Sequence, residues 1–280
     1  MNDMTDPITQ PGIARDLHVS ADFDPAREAE RRISFLVRQL AASRTRSLVL
    51  GISGGVDSLT AGRLCQLAVE RVREAGGEAT FHAMRLPYGT QADEADAQAS
   101  LVFIRPDAVL TVDIAPATNG ALEALHAAGL VFRDAAHQDF VTGNVKARQR
   151  MIAQYAVAGA YDGLVVGTDH AAEAVTGFFT KHGDGAADVV PLTGLTKRQV
   201  RGLAEYLGAP AGLVWKPPTA DLETLSPGKL DEDALGISYQ EIDDFLEGKP
   251  VAEETAEALM ARYRMTAHKR RLPFAPQDEA

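Results

Sequence analysis

The chain has 280 residues, 45% hydrophobic and 24% charged, with a formal net charge of -11 and a single cysteine. That is enough chain for a substantial core, and the acidic balance argues against a nucleic-acid backbone as its main partner. The lone Cys65 excludes an intrachain disulfide, a CxxC centre and a multi-thiolate zinc site. No apolar run reaches membrane-spanning length and the acidic N-terminus does not read as a secretory leader, so a reducing, cytoplasmic setting is expected.

Residues 1–22 show little periodicity and are expected to form a flexible arm. Ile33, Leu36, Val37 and Leu40 then follow the spacing of an amphipathic helix. A strand is expected at 47–52, and Leu64, Leu67, Ala68 and Val72 mark the inner face of a helix ending near Gly76-Gly77. Strands follow at 80–86 and 108–114, with helices at 92–100 and 119–128. A long helix is expected at 144–158, capped by Asn144, with Met151, Ile152 and Tyr155 inward. Residues 164–166 form a short apolar strand. Thr196 and Gln199 read as a capping box, and the proline-rich stretch 209–233 reads as an active-site lid. Two short helices, near 241–246 and 253–263, precede the basic run His268-Lys269-Arg270-Arg271. The alternation predicts a parallel sheet covered on both faces, with its ligand crevice beyond the strand C-termini.

The most informative stretch is Ser53-Gly54-Gly55-Val56-Asp57-Ser58, at the junction of the first strand with a helix. Free N–H groups at a helix start favour an anion. The glycines allow close approach, and Ser53 and Ser58 donate hydrogen bonds. Asp57 belongs in a phosphate cradle only if a divalent cation links it to the phosphates; otherwise it is a helix cap. Neither G-x-G-x-x-G nor G-x-x-x-x-G-K-[ST] is present in this turn. Past the later strand, Glu173 is paired with Asp57 as a candidate Mg2+ ligand, since a hard cation prefers oxygen. Thr168 and Asp169 lie in the turn, and His170 is either a packed cap or a site residue. Zinc lacks a third close histidine or thiolate. Lys197 starts a helix, where a cation is unfavourable for the dipole; a role near phosphates and a solvated end charge both account for it. Phe140 is either a helix staple or a stacking surface.

These motifs, with Arg85-Leu86-Pro87-Tyr88-Gly89-Thr90-Gln91, Gly143-Asn144-Val145-Lys146-Ala147-Arg148, Gly167-Thr168-Asp169-His170-Ala171-Ala172-Glu173, the run from Gly177 to Gly185, Pro218-Thr219-Ala220-Asp221-Leu222-Glu223 and His268-Lys269-Arg270, resemble the ammonia-dependent NAD+ synthetases of the pyrophosphate-loop ATP pyrophosphatase group. The likeness runs from roughly residue 30 to 274. It implies a Rossmann-like, doubly wound parallel sheet with helices on both faces, of the adenine nucleotide alpha hydrolase-like type, as a single domain over 1–280. It also implies a ligase that uses ATP and ammonia to convert nicotinic acid adenine dinucleotide to NAD+ through a carboxyl-adenylate, releasing AMP and pyrophosphate. By resemblance, Asp57 and Glu173 hold Mg2+. Ser53, Gly54, Gly55, Val56, Ser58, Gln91, Arg148, Thr168, Lys197 and Thr219 meet ATP. Phe140, Asn144, Lys181, Asp184, Glu223, His268 and Lys269 serve the dinucleotide, and Asp57, Glu173, Lys197 and Asp184 form the catalytic set. The family's homodimers complete that site from both subunits. Direct use of ammonia is expected because the synthetase likeness leaves no length or second cysteine for a glutaminase domain. His182 and the Lys216-Pro217-Pro218 run depart from the commonest form of the family's motifs. Enzymes adenylating another carboxylate or a tRNA base share the loop, and a non-catalytic nucleotide-binding module is the remaining alternative.

Overall fold

A computed structural model describes residues 8–89, 94–219, 225, 228–271 and 273–275. In chain order the elements are α1 (Gln10–Asp16), α2 (Pro25–Ser43), β1 (Ser47–Gly51), α3 (Val56–Glu74), β2 (Thr80–Arg85), α4 (Glu94–Ile104), β3 (Ala108–Thr111), α5 (Ala115–Ala127), α6 (Ala135–Ala160) and β4 (Gly163–Val165). The remainder is helical: α7 (Ala171–Thr176), α8 (Lys197–Tyr206), α9 (Ala211–Val214), α10 (Asp231–Leu235), α11 (Tyr239–Leu246), α12 (Glu253–Met265) and α13 (Ala267–Arg270).

The four strands are parallel and lie in the order β3-β2-β1-β4. Side chains alternate along each strand, so both faces are apolar. Leu48, Leu50, Ile52, Phe81 and Ala83 pack with residues of α2, α3 and α8, while Val49, Met84 and Val165 pack with Ile114 and Ala158 on the other face. The chain winds outward from β1 through β2 to β3, then returns to place β4 on the opposite side of β1. Loops leaving β1 and β4 therefore diverge and open a crevice at their C-terminal ends. Residues 52–55 and 166–170 occupy those loops.

Several expected boundaries shift. The long helix begins at Ala135, capped by Asp134, whose side chain accepts the His137 N–H at 2.7 Å. Asn144 is thus an interior residue, and Phe140 lies within the helix instead of stapling its entry. Helix α6 rests on the sheet through Ala158, with Ala153 and Val157 partly buried beside it, while Gly143 and Ala147 face the cavity. Ile152 and Tyr155, expected inward, are 52% and 36% exposed. The small residues that let the helix approach the sheet leave its bulky ones on the far side.

The N-terminal arm is also corrected in part. Residues 10–16 form α1, and Ile13 and Leu17 are buried with Tyr239, Ile242 and Phe245. Gln10 Nε2 donates to the Phe245 carbonyl at 2.8 Å, so the segment is docked. A single apolar turn lacks the length for a visible period, hence its absence from the sequence pattern. Ile13→Ala is expected to lower unfolding free energy by about 2–5 kcal/mol, measured by urea denaturation, because a buried side chain leaves a cavity. A loss below about 0.5 kcal/mol, the range of exposed substitutions, would mean the helix is undocked in solution. Of the stretch 209–233 expected as a lid, Leu213 and Val214 of α9 belong to the core, and residues 220–224, 226 and 227 lie outside the described residues. Thr219 pairs with Leu230 in an isolated antiparallel bridge.

Candidate active site

Helix α3 opens with Gly55 at its N-cap and no side-chain cap, leaving the first-turn N–H groups directed at the crevice. The loop before it is held in shape by its own serines. Ser58 Oγ accepts the Ser53 N–H at 3.2 Å and donates to the Gly55 carbonyl at 3.1 Å, while the two hydroxyls lie 3.1 Å apart. Gln154 Oε1 accepts the Gly51 N–H at 2.8 Å, fixing the end of β1 from α6. Arg85, buried at the end of β2, bonds the Ile52 carbonyl and pairs with Glu94 at 2.7 Å.

Across the crevice, α7 brings Glu173 and α8 brings Lys197. Lys197 Nζ lies 2.7 Å from Asp57 Oδ2 and is 2% exposed. One ligand atom from each of Asp57, His170 and Glu173 falls within 4.8 Å of the others. His170 Nε2 is 3.5 Å from Asp57 Oδ1, which has no hydrogen-bond partner. Two carboxylates with an unsatisfied buried oxygen suit a divalent cation with hard-donor preference.

The electrostatics follow from burial. Burial works against ionisation of Asp57, but Lys197 and His170 hold its carboxyl below the ordinary value. Burial likewise opposes the charge on Lys197, and Asp57 and Glu173 keep its pKa above normal. Burial, reinforced by Asp57, raises Glu173 well above the carboxylate range. Asp169 is pushed up to about 7 by burial, Asp184 and Asp57. The acidic groups outnumber the fixed cations around them, which favours their protonated forms.

Asp57, Glu173, Asp184 and Lys197 line a cavity of about 480 Å³. The NAD synthase family model matches residues 28–273. The chain belongs to the NAD synthase family. An NH3-dependent NAD+ synthetase of Streptomyces coelicolor is 71% identical over 267 residues, covering 95% of this chain and 97% of that relative. The crystal structure of NAD+ synthetase from Burkholderia pseudomallei is similar with a TM-score of 0.83 at 58% identity, covering 97% of this chain and 100% of that one. The structure of NMN synthetase from Francisella tularensis gives a TM-score of 0.78 at 34% identity, covering 91% and 99%.

Of the positions singled out by the family's motifs, Ser53, Gly55, Val56, Asp57, Ser58, Phe140, Asn144, Thr168, Glu173, Asp184, Lys197, Thr219 and Lys269 line the cavity. Gly54 lies behind the loop, against the backbone of Asp96 and Ala97. Arg148, Lys181 and His268 are not part of the cavity wall. Exposed Arg148 donates to the Lys181 carbonyl at 3.2 Å. Gln91 and Glu223 lie outside the described residues. Phe140, Asn144 and Arg148 are spaced four apart on α6 and share a stripe. Asn144 Oδ1 accepts from Thr180 Oγ1 at 3.0 Å, joining that stripe to the loop carrying Asp184. Asp184 is exposed on the cavity wall; the protein packed around that wall still raises its carboxyl, although the Thr180 N–H donates to it at 2.9 Å. Lys269 donates to the carbonyls of Gly177 and Phe179 at 2.8 and 2.7 Å.

Sequence reasoning left out Arg85, Arg150, Gln154, Lys216 and Asp231, which also line the cavity. Arg85 stands in a family motif, and that was the available signal; Gln154 and Asp231 carry no local pattern. Asp169 was placed in the turn but not among the site residues.

His170 sits at the N-cap of α7, 1% exposed, its ring nitrogens without partners. Burial lowers its pKa from 6.5 to about 3. The folded value lies below the unfolded one, so its contribution to stability is present above pH 6.5 and is lost as pH falls toward about 3. The difference in thermal stability between wild type and His170→Asn is therefore expected to move against wild type as pH drops from 7.5 to 4. Asp169 has the opposite sign, losing its contribution as pH rises through about 7, and largely cancels in that difference. A difference that stays flat across the range would mean the ring is not buried in its neutral form.

Proposed function

We propose that this protein joins ammonia to the nicotinate carboxylate of nicotinic acid adenine dinucleotide at the expense of ATP, forming NAD+, AMP and pyrophosphate. The observation that carries the reading is Lys197 against Asp57 at the uncapped start of α3, with Glu173 facing them. That arrangement suits a polyphosphate whose charge must be matched as it leaves.

The residues present fit Mg2+: Asp57 and Glu173 would hold it. The bound ion would withdraw charge from phosphate oxygens as a Lewis acid. The α3 N–H groups, Ser53 and Ser58 would donate to the phosphates, and Lys197 would place a fixed cation beside the departing pyrophosphate. Gln91, Arg148, Thr168 and Thr219 are the further ATP contacts, with Gly54, Gly55 and Val56 shaping the loop. The substrate carboxylate is itself the nucleophile: its oxygen forms a bond to the α-phosphorus as the bond to the bridging oxygen breaks. No enzyme nucleophile is needed, so the protein orients reactants and stabilises charge. Phe140, Asn144, Lys181, Asp184, Glu223, His268 and Lys269 are assigned to the dinucleotide.

The reading includes a homodimer, a single domain over 1–280 and a cytoplasmic setting. Support for the dimer comes from Val131, Phe140 and Ile152, which leave apolar surface at 85%, 57% and 52% exposure on or beside α6. Arg148, Lys181 and His268 lie outside one protomer's cavity wall, which supports a site completed by a second copy. A second reading, amidation of the mononucleotide, is favoured by the likeness to the Francisella tularensis NMN synthetase.

Purified protein is to be mixed with ATP, Mg2+, ammonium and nicotinic acid adenine dinucleotide, each omitted in turn. Equal amounts of NAD+, AMP and pyrophosphate without glutamine are expected. Pyrophosphate without NAD+ would send the reading to another acceptor, and faster turnover of nicotinic acid mononucleotide would favour the second reading.

A further inference from the structure

Two buried carboxylate oxygens lack a hydrogen-bond partner among the described residues, Asp57 Oδ1 and Asp231 Oδ1, and both residues line the cavity. Asp57 belongs to the group with His170 and Glu173 that suits a divalent ion, whereas Asp231 is outside it. The occupant of Asp231 is therefore unassigned. Asp231 is 8% exposed, and its other oxygen accepts from the Tyr239 hydroxyl at 3.1 Å. Tyr239 is itself 2% exposed, so the pair is fixed and Oδ1 is left as a rigid acceptor. The backbone fixes it too. The Asp231 N–H donates to the Pro218 carbonyl at 3.1 Å, beside the Thr219–Leu230 bridge.

A buried acceptor without a donor is unfavourable, and beside a polyphosphate site it adds repulsion. Its occupant must bring hydrogen-bond donors and preferably positive charge. ATP and a dinucleotide carry anionic phosphates, whereas ammonium consists of donors only and is cationic. We propose that Asp231 Oδ1 is the group that binds ammonium and accepts its proton for the second half of the reaction. The inference rests on the NAD+-forming reading.

In that step ammonium gives one proton to Oδ1. The freed nitrogen lone pair forms the C–N bond at the adenylated carbonyl. The C–O bond to the phosphate oxygen then breaks, AMP leaves with the electron pair, and the nitrogen loses its second surplus proton to solvent. Burial raises the Asp231 carboxyl above the ordinary range, with Lys197 opposing, in the direction an acceptor needs. Tyr239 is no competing base, since burial and the nearby carboxylates of Glu173 and Asp231 push its phenol far up. Asp184 accepts the Thr180 N–H at 2.9 Å and is also hydrogen-bonded by its own backbone N–H and the Thr180 hydroxyl, so its carboxylate is better satisfied than that of Asp231.

The test separates the two halves of the reaction. Wild type must first amidate the dinucleotide; if it does not, the parent reading fails before this one is examined. With Asp231→Asn, the KM for ammonium is expected to rise about ten- to hundredfold, the loss of one charged hydrogen bond. Exchange of labelled pyrophosphate into ATP, run with the dinucleotide and without ammonium, is expected to stay within about twofold of wild type, well inside the tenfold that a lost bond would bring. Tyr239→Phe, which frees the carboxylate to rotate, is expected to move the ammonium KM in the same direction by less. A normal ammonium KM in folded Asp231→Asn overturns the proposal. So does a parallel fall in exchange, which would assign Asp231 to ATP.

Discussion

Lys197→Met is expected to lower NAD+ formation by about 10²–10³-fold, the usual cost of removing one preorganised charge from a developing transition state. The side chain is 2% exposed and held 2.7 Å from Asp57, so its charge is fixed before substrate arrives and needs no reorganisation. Methionine keeps the volume and removes the charge. Lys197→Arg is expected to recover little, because a planar guanidinium does not fit a recess closed around a compact ammonium with the Tyr239 ring 5.0 Å from Nζ. The pyrophosphate-exchange rate is the measurement, since it isolates adenylation. A loss below about fivefold, under 1 kcal/mol of barrier, would reduce Lys197 to a structural partner of Asp57. The variant also removes the cation balancing Asp57 and Glu173. Mg2+ is therefore expected to raise its melting temperature more than that of wild type, by linkage to the folded state.

Gly54→Ala is expected to raise the KM for ATP about tenfold or more and to lower stability by about 1–3 kcal/mol. Gly54 has φ 91°, where an L side chain costs about 1–2 kcal/mol. A Cβ there would sit 2.9 Å from the Ala97 nitrogen and 3.3 Å from its Cα, so the strain meets backbone and not a side chain that swings aside. Relief requires moving the loop off α4, which displaces the Ser53 and Ser58 hydroxyls and the first N–H groups of α3 together. Kinetics at varied ATP, with urea denaturation, would check both parts. An unchanged KM alongside reduced stability would show that the loop absorbs the shift without losing its ligand geometry.

Much of the architecture is legible in the sequence alone. Alternating short apolar strands and amphipathic helices announce a parallel sheet, because strands buried on both faces have few polar positions. The serine–glycine loop was legible because hydrogen-bond donors, backbone freedom and a helix start coincide within six residues. What failed was local in a different way. The start of α6 was misplaced because residues 135–143 carry a weak apolar period, and Ile152 and Tyr155 were read inward although α6 meets the sheet through small residues. Helix α1 was missed because its stability comes from docking on α11 and not from its own pattern.

The site divides along the same line. Local sequence determined the phosphate loop, the Thr196–Gln199 cap of α8 and the carboxylate at the start of α7, since each depends on neighbours within about one turn. The 2.7 Å contact of Lys197 with Asp57, 140 residues away, was decided only by tertiary structure. The same holds for the gathering of Glu173, Asp184 and Asp231 around one cavity. Spacing in sequence carries no information about such pairs, because they meet only where the strand order reverses beside β1 and the helices beyond β4 fold back over its end. Burial there, and not residue type, sets the charge states on which the chemistry depends.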